Sequence, residues 1–142
     1  MTAIYFDSSA FVKLLVSERG SDLARELWDR ADSVVVSRLG IPEVAAALAA
    51  AERGGRLDAR QHRTALAEWT VAREGLELVD LSDNLADTAS HLAARHSLSG
   101  ADAVHLASAL ELGDGALIAV WDARLRQGAR SEGLRVLPDR LD

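Results

Sequence analysis

The chain has 142 residues, 49% of them hydrophobic and 27% charged, with a formal net charge of −6 and no cysteine. That length accommodates one domain with one core, and the composition excludes disulfides, thiolate-bound metals and any apolar stretch of the roughly 20 residues that cross a bilayer. The opening Met1-Thr2-Ala3-Ile4 has neither a basic region nor a cleavage site, so no signal peptide is expected and the expected compartment is the cytoplasm.

In chain order, Ala3-Ile4-Tyr5-Phe6 is a short unbroken apolar run that ends at Asp7 and reads as a strand. Helices are expected over 9–16 and 21–31, followed by a β-branched strand over 33–37. Val44, Ala47, Leu48 and Ala51 recur at i, i+3, i+4 and i+7, the stripe of a helix that Gly54-Gly55 ends. A helix over 58–73 leads to a strand over 76–79, and Ser82-Asp83 offers the cap for a helix over 83–96. Ala103, Leu106, Ala107 and Leu110 repeat the helical stripe. Gly113 and Gly115 bracket the turn into a strand over 116–121, and a helix over 122–128 precedes a last strand over 134–137. Strands without polar alternation fit a sheet covered on both faces, and their alternation with helices predicts an α/β fold with a mostly parallel sheet of roughly five strands. No linker or repeat divides residues 1–142, so a single domain is expected.

Four acids fall at related places in this scheme. Asp7 and Asp122 each stand between an apolar strand and a helix, where parallel sheets bind ligands beyond the carboxyl ends of their strands. Glu43 and Asp102 each sit one residue ahead of an apolar helical stripe, in a first turn that right-handed crossovers bring to the same edge. Each acid has a plain alternative: Asp7 and Asp122 as helix caps, Glu43 and Asp102 as partners of a helix dipole. Capping requires no convergence, whereas metal binding does. Mg²⁺ and Mn²⁺ prefer oxygen donors, and two such ions roughly 3.5–4 Å apart support in-line hydrolysis of a phosphodiester. The four acids are therefore the expected metal-holding catalytic set.

The motifs carrying these acids resemble those of the PIN-domain ribonucleases, and among them the VapC toxins of toxin–antitoxin pairs. The similar segments are Ile4-Tyr5-Phe6-Asp7-Ser8-Ser9-Ala10-Phe11-Val12-Lys13-Leu14-Leu15, Ser37-Arg38-Leu39-Gly40-Ile41-Pro42-Glu43-Val44, Ala101-Asp102-Ala103-Val104-His105-Leu106-Ala107-Ser108-Ala109-Leu110 and Val120-Trp121-Asp122-Ala123-Arg124-Leu125. The resemblance implies a three-layer α/β/α sandwich and a Mg²⁺- or Mn²⁺-dependent endoribonuclease in which Asp7, Asp102 and Asp122 ligate metal directly or through water, and Glu43 ligates it or helps orient the nucleophilic water. It also implies an RNA substrate, a small VapB-like antitoxin as partner, and a homodimer. Ser9 occupies the family's small polar position, where its hydroxyl serves either the metal shell or the helix start. Val120 departs from the family pattern, which has Thr or Ser there. That departure supports the alternative of a catalytically weakened domain that only binds RNA or protein.

Other residues carry plainer expectations. His105 is read as a partly buried residue bonded to its surroundings, with a general base as the alternative. Trp28, Trp69 and Trp121 are expected in the core. Arg53, Arg56, Arg60 and Arg63 form one basic cluster, and Arg124, Arg126 and Arg130 another beside the fourth acid. Either cluster could track a phosphate backbone, the second more directly. Ser9 stands where a haloacid-dehalogenase phosphatase would need a second Asp, and Lys13, the only lysine, is not at the late strand end a receiver domain requires. No P-loop is present, and Gly113-Asp114-Gly115 precedes a strand, so no dinucleotide motif is present either.

Overall fold

A computed structural model describes residues 2–141; Met1, the first residue of the opening segment, and Asp142 lie outside the described residues. The strands are β1 (Ala3–Phe6), β2 (Ser33–Ser37), β3 (Glu77–Val79), β4 (Leu117–Ala119) and β5 (Arg135–Leu137). The helices are α1 (Ser8–Leu15), α2 (Ser21–Arg30), α3 (Gly40–Arg53), α4 (Ala59–Ala72), α5 (Asp83–His96), α6 (Gly100–Leu110) and α7 (Ala123–Ser131), with a short 3₁₀ turn at Arg73–Gly75. All strand pairs are parallel and the order is β3-β2-β1-β4-β5.

That order dictates the layers. The chain moves outward from β1 to β2 to β3 and then crosses back to β4 and β5, so right-handed connections put α1–α4 on one face and α5–α7 on the other. Contacts agree, since α1 packs on α2 and α3, α3 on α4, and α6 on both α5 and α7. The three-layer α/β/α sandwich with a five-stranded parallel sheet is as the sequence predicts. β1 and β2, covered on both faces, carry the unbroken runs Ile4-Tyr5-Phe6 and Val34-Val35-Val36, all buried. Trp69 fills the core beneath α1 with its ring 5.0 Å from that of Phe11, and its Nε1 is buried without a hydrogen-bond partner among the described residues. Trp28 and Trp121 are only partly buried; Trp28 packs edge-on against Phe6 and Phe11.

Two glycines mark close approaches. A Cβ on Gly40 would stand 2.7 Å from Val36 Cγ2, so α3 can begin tight against the end of β2 only with glycine there. Gly128, the last residue of the helix expected over 122–128, does not end α7. Instead it lies 3.4 Å (measured from the Cβ it lacks) from His96 and Leu106, letting α7 cross α5 and α6 closely and run on to Ser131. Beyond that crossing, Glu132 Oε2 lies 2.6 Å from His96 Nε2 and 2.8 Å from Arg95 Nη1, tying the end of α7 to α5. The His96 bond first, and Arg95 with it, holds the Glu132 carboxyl below its ordinary value against a smaller opposing effect of burial.

Gly40→Ala is expected to lower unfolding stability by about 1–3 kcal/mol, the usual cost of overpacking, measured by urea denaturation. The Glu132 contribution has a defined pH window. A depressed folded-state pKa contributes stability that is complete above the unfolded value and is lost as pH falls through the lower folded one. Glu132→Gln should therefore cost about 1 kcal/mol near neutrality. The gap from wild type should close below the ordinary carboxylate value of 4.5, as read from Tm against pH.

Candidate active site

The two central strands place two of the four acids. Asp7 follows β1 directly and caps α1, its Oδ2 accepting the Ser9 hydroxyl at 2.6 Å and the Ser9 amide at 3.4 Å. Its own N–H donates to the Ala119 carbonyl at 3.1 Å, which ties it to the end of β4. Asp122 caps α7 through Oδ1, which accepts the Leu125 amide at 2.9 Å. The strand before it stops at Ala119, earlier than expected, because the Val120 carbonyl turns to the Arg126 guanidinium at 2.8 Å. β1 and β4 are neighbours whose following helices leave to opposite faces, and such a switch point opens a crevice at the carboxyl edge. Asp7 and Asp122 stand on its two sides.

Glu43 and Asp102 enter from helix N-termini, in the first turns of α3 and α6. Burial raises the Asp102 carboxyl above its ordinary value, and the charges of Asp7 and then Asp122 raise it further. The three aspartates therefore share one electrostatic environment, while two of them also serve as caps. Asp7 and Asp122 are caps, and the charges of both act on Asp102.

Glu43 joins the group through His105. The imidazole is 1% exposed, with Nδ1 2.6 Å from the Tyr5 hydroxyl, Nε2 2.5 Å from Glu43 Oε1 and 3.8 Å from Asp7 Oδ1. The Ser8 hydroxyl donates to the same Glu43 Oε1 at 2.7 Å. Burial is the largest single influence on His105 and acts to lower its pKa. The Glu43 bond and the charges of Asp7, Glu43 and Asp102 together outweigh it and raise the ring above its ordinary value. Glu43 mirrors this: burial pushes it up, and the His105 bond and charge with the Ser8 hydroxyl bring it below the usual range. Burial also drives the Tyr5 phenol far above its ordinary value, so it stays protonated.

His105 thus bonds to its surroundings as expected, but it is fully buried and its surroundings are the site acids. Tyr5 and Ser8 went unnoticed in the sequence, the first because it reads as one more apolar strand residue. The signal available for Ser8 was adjacency to Asp7. Ser9, expected near the metal shell or satisfying backbone, instead donates its hydroxyl to Asp7. Val120 is wholly buried in the apolar core. In the second arginine cluster only Arg126 is withdrawn from solvent, while Arg124 and Arg130 stay exposed. Arg126 is 3% exposed and donates to the Val120 and Pro138 carbonyls, Arg130 donates to the Asp139 carbonyl, and Arg124 reaches the Ser97 carbonyl. In the first cluster Arg56 pairs with Glu18 at 3.4 Å.

The donor set suits a hard cation. It consists of carboxylate oxygens whose mutual repulsion at Asp102 a divalent ion would relieve. Among the described residues no three His, Asp or Glu side chains already stand at ligand spacing, so the acids gather charge without forming a closed cage. The deeper clefts lie elsewhere, one of about 240 Å³ between Phe11, Leu14, Trp28 and Trp69. No described helix is long and apolar enough to cross a membrane.

Comparison with known proteins identifies the family. Residues 4–130 match the PIN domain. The chain is 50% identical to Ribonuclease VapC45 of Mycobacterium tuberculosis, with 100% of this chain and 99% of that protein covered. Among solved structures, a toxin–antitoxin complex from Klebsiella pneumoniae superposes with a TM-score of 0.67 at 18% identity, covering 98% of this chain and 99% of that one. The Mycobacterium tuberculosis sarcin–ricin-loop-cleaving toxin VapC20 does so at 0.66 and 19% identity, covering 86% and 92%. The chain belongs to the PIN-domain family and stands among its VapC members.

Proposed function

We propose that this protein is a divalent-metal-dependent endoribonuclease, the toxin of a VapBC-type toxin–antitoxin pair, with residues 1–142 forming one PIN-like nuclease domain. The observation that carries the reading is the gathering of Asp7, Asp102 and Asp122 at one sheet edge. The Asp102 carboxyl is raised there by burial and by its two acidic neighbours, a charge arrangement that calls for a cation. The 50% identity to a protein named as a ribonuclease supplies the reaction class.

In this reading Asp7, Asp102 and Asp122 hold Mg²⁺ or Mn²⁺, which supplies Lewis-acid stabilisation of the phosphate and lowers the pKa of water. Ser9 holds Asp7 in place through its hydroxyl. Glu43 stays ionised, because its carboxyl is held below the usual range. Its Oε1 is occupied by Ser8 and His105, which leaves Oε2 to accept a proton from the attacking water. A water nucleophile does not need the ribose 2′-hydroxyl, so the cut leaves a 5′-phosphate and a 3′-hydroxyl. Against the net charge of −6, substrate phosphates reach the site only with the bound cations as its largest local charges. The alternative of a weakened binding module is the less favoured: the chain is 50% identical to a protein named as a ribonuclease, and Val120 belongs to the core. We further propose a homodimer, a cytoplasmic location and a small VapB-like antitoxin as partner. The structural likeness to a toxin–antitoxin complex supports the last of these.

Purified protein incubated with structured RNA and Mn²⁺ is expected to cleave it, and EDTA is expected to stop the reaction. Asp7→Asn and Asp102→Asn should each lower kcat/KM by at least about 10–100-fold, since losses in a metal's outer shell alone reach that size. Intact RNA bound equally by wild type and both variants would mean a binding module. End mapping provides a separate check: products should accept ligation at a 5′-phosphate, and 2′,3′-cyclic phosphate ends would refute a water nucleophile.

A further inference from the structure

The hydrogen bonds that hold Glu43 run inward, through the core, to the backbone of β2. The Ser37 amide donates to the Tyr5 hydroxyl at 2.9 Å, that hydroxyl lies 2.6 Å from His105 Nδ1, and His105 Nε2 meets Glu43 Oε1. Tyr5 and His105 are 0% and 1% exposed, while 30% of the Glu43 side chain is open to solvent. The hydrogens are assigned from the partners. The Ser37 N–H occupies the phenol oxygen as acceptor, the phenol O–H points to Nδ1, and Nε2 carries the hydrogen that Glu43 accepts. In an imidazolium Nε2 presents the same N–H, while Nδ1–H donates to the phenol oxygen and the phenol O–H turns away from the ring. The Ser8 hydroxyl also donates to Oε1, so that oxygen has two donors, while among the described residues none falls on Oε2.

We propose that Tyr5 and His105 are positioning residues, a buried relay anchored on the β2 amide that fixes the rotamer of Glu43 and reserves its Oε2 for water at the scissile phosphate. The inference rests on the nuclease reading for what Oε2 does, but not for how Glu43 is held. A glutamate has three rotatable side-chain bonds, and left to solvent it loses rotamer freedom each time it must act. A displacement of about 1 Å at such a group costs about 100-fold in rate. Packing alone does not account for the relay. Tyr5 and His105 meet edge-on with ring centroids 5.9 Å apart, amid the apolar residues of β1 and α6. An apolar pair there would fill the space without buried polar groups to satisfy.

The experiment uses Tyr5→Phe, His105→Leu and His105→Gln, the last keeping an N–H donor where Nε2 stands. In RNA cleavage with Mn²⁺, Tyr5→Phe and His105→Leu should lose about tenfold or more in kcat, with KM and Mn²⁺ affinity near wild type. His105→Gln should recover most of the loss, and it serves as the probe should the leucine variant not fold. In a Glu43→Gln background Tyr5→Phe should cost nothing more, because groups acting as a unit are not additive. In the metal-free protein, the ¹H–¹⁵N spectrum should show an exchange-protected, downfield His105 Nε2–H. That signal should move upfield in Glu43→Gln and exchange faster in Tyr5→Phe. Wild-type kcat in Tyr5→Phe, an equal loss in the Glu43→Gln background, or no protected ring N–H would each overturn the relay. A wild type that cuts no RNA would remove the nuclease reading instead. The metal-free spectrum would then decide the holding of Glu43 alone, upheld by a protected N–H that Glu43→Gln displaces and overturned by its absence.

Discussion

The side-by-side pairing of β1 and β4 governs the rest of this molecule. Because the two strands run parallel and their connections leave to opposite faces, the sheet parts at its carboxyl edge between them, and the chain segments carrying Asp7 and Asp122 emerge on either side of the gap. The Asp7 amide hydrogen-bonded to the Ala119 carbonyl closes the last rung of that pairing. The N-termini of α3 and α6 arrive at the same edge by crossover geometry, each bringing one more carboxylate. The site is a property of topology before it is a property of side chains.

Clustering acids destabilises a fold unless something offsets the repulsion. Here part of the offset is intrinsic: Asp7 and Asp122 sit at the positive ends of helices and accept N–H groups there, and Asp102 lies in the first turn of α6. Glu43 is stabilised as the carboxylate by hydrogen bonds from His105 and Ser8. Asp102 receives the least relief, with burial and two like charges acting on it together.

Much of this was legible in the chain. Unbroken apolar runs gave a parallel sheet because strands covered on both faces have no polar alternation to hide, and the helices over 83–96 and 58–73 were found within a residue of their ends. The four acids could be picked out by position because topology repeats a simple rule at each strand end. What stayed illegible depended on contacts across the sequence. Gly128 reads as a stop but acts as a crossing point, a fact contained only in His96 and Leu106 opposite it. Arg126 reads as one of a surface cluster, yet it is drawn inward by two carbonyls that no spacing announces. Tyr5 hides among apolar neighbours because a phenol and a phenylalanine ring give the same pattern until the hydroxyl finds its partners.

Arg126 also ties the turn before Asp122 to the tail, beside the link that Arg130 makes to the Asp139 carbonyl. One guanidinium nitrogen holds the carbonyl two residues before Asp122, and another holds the carbonyl of Pro138, just past β5. Tension on the tail, from a fused tag or a docked neighbour, is therefore transmitted through a rigid planar group to the turn carrying the fourth acid. The far end of the polypeptide is mechanically coupled to the catalytic edge, and an affinity handle attached there is not a neutral addition.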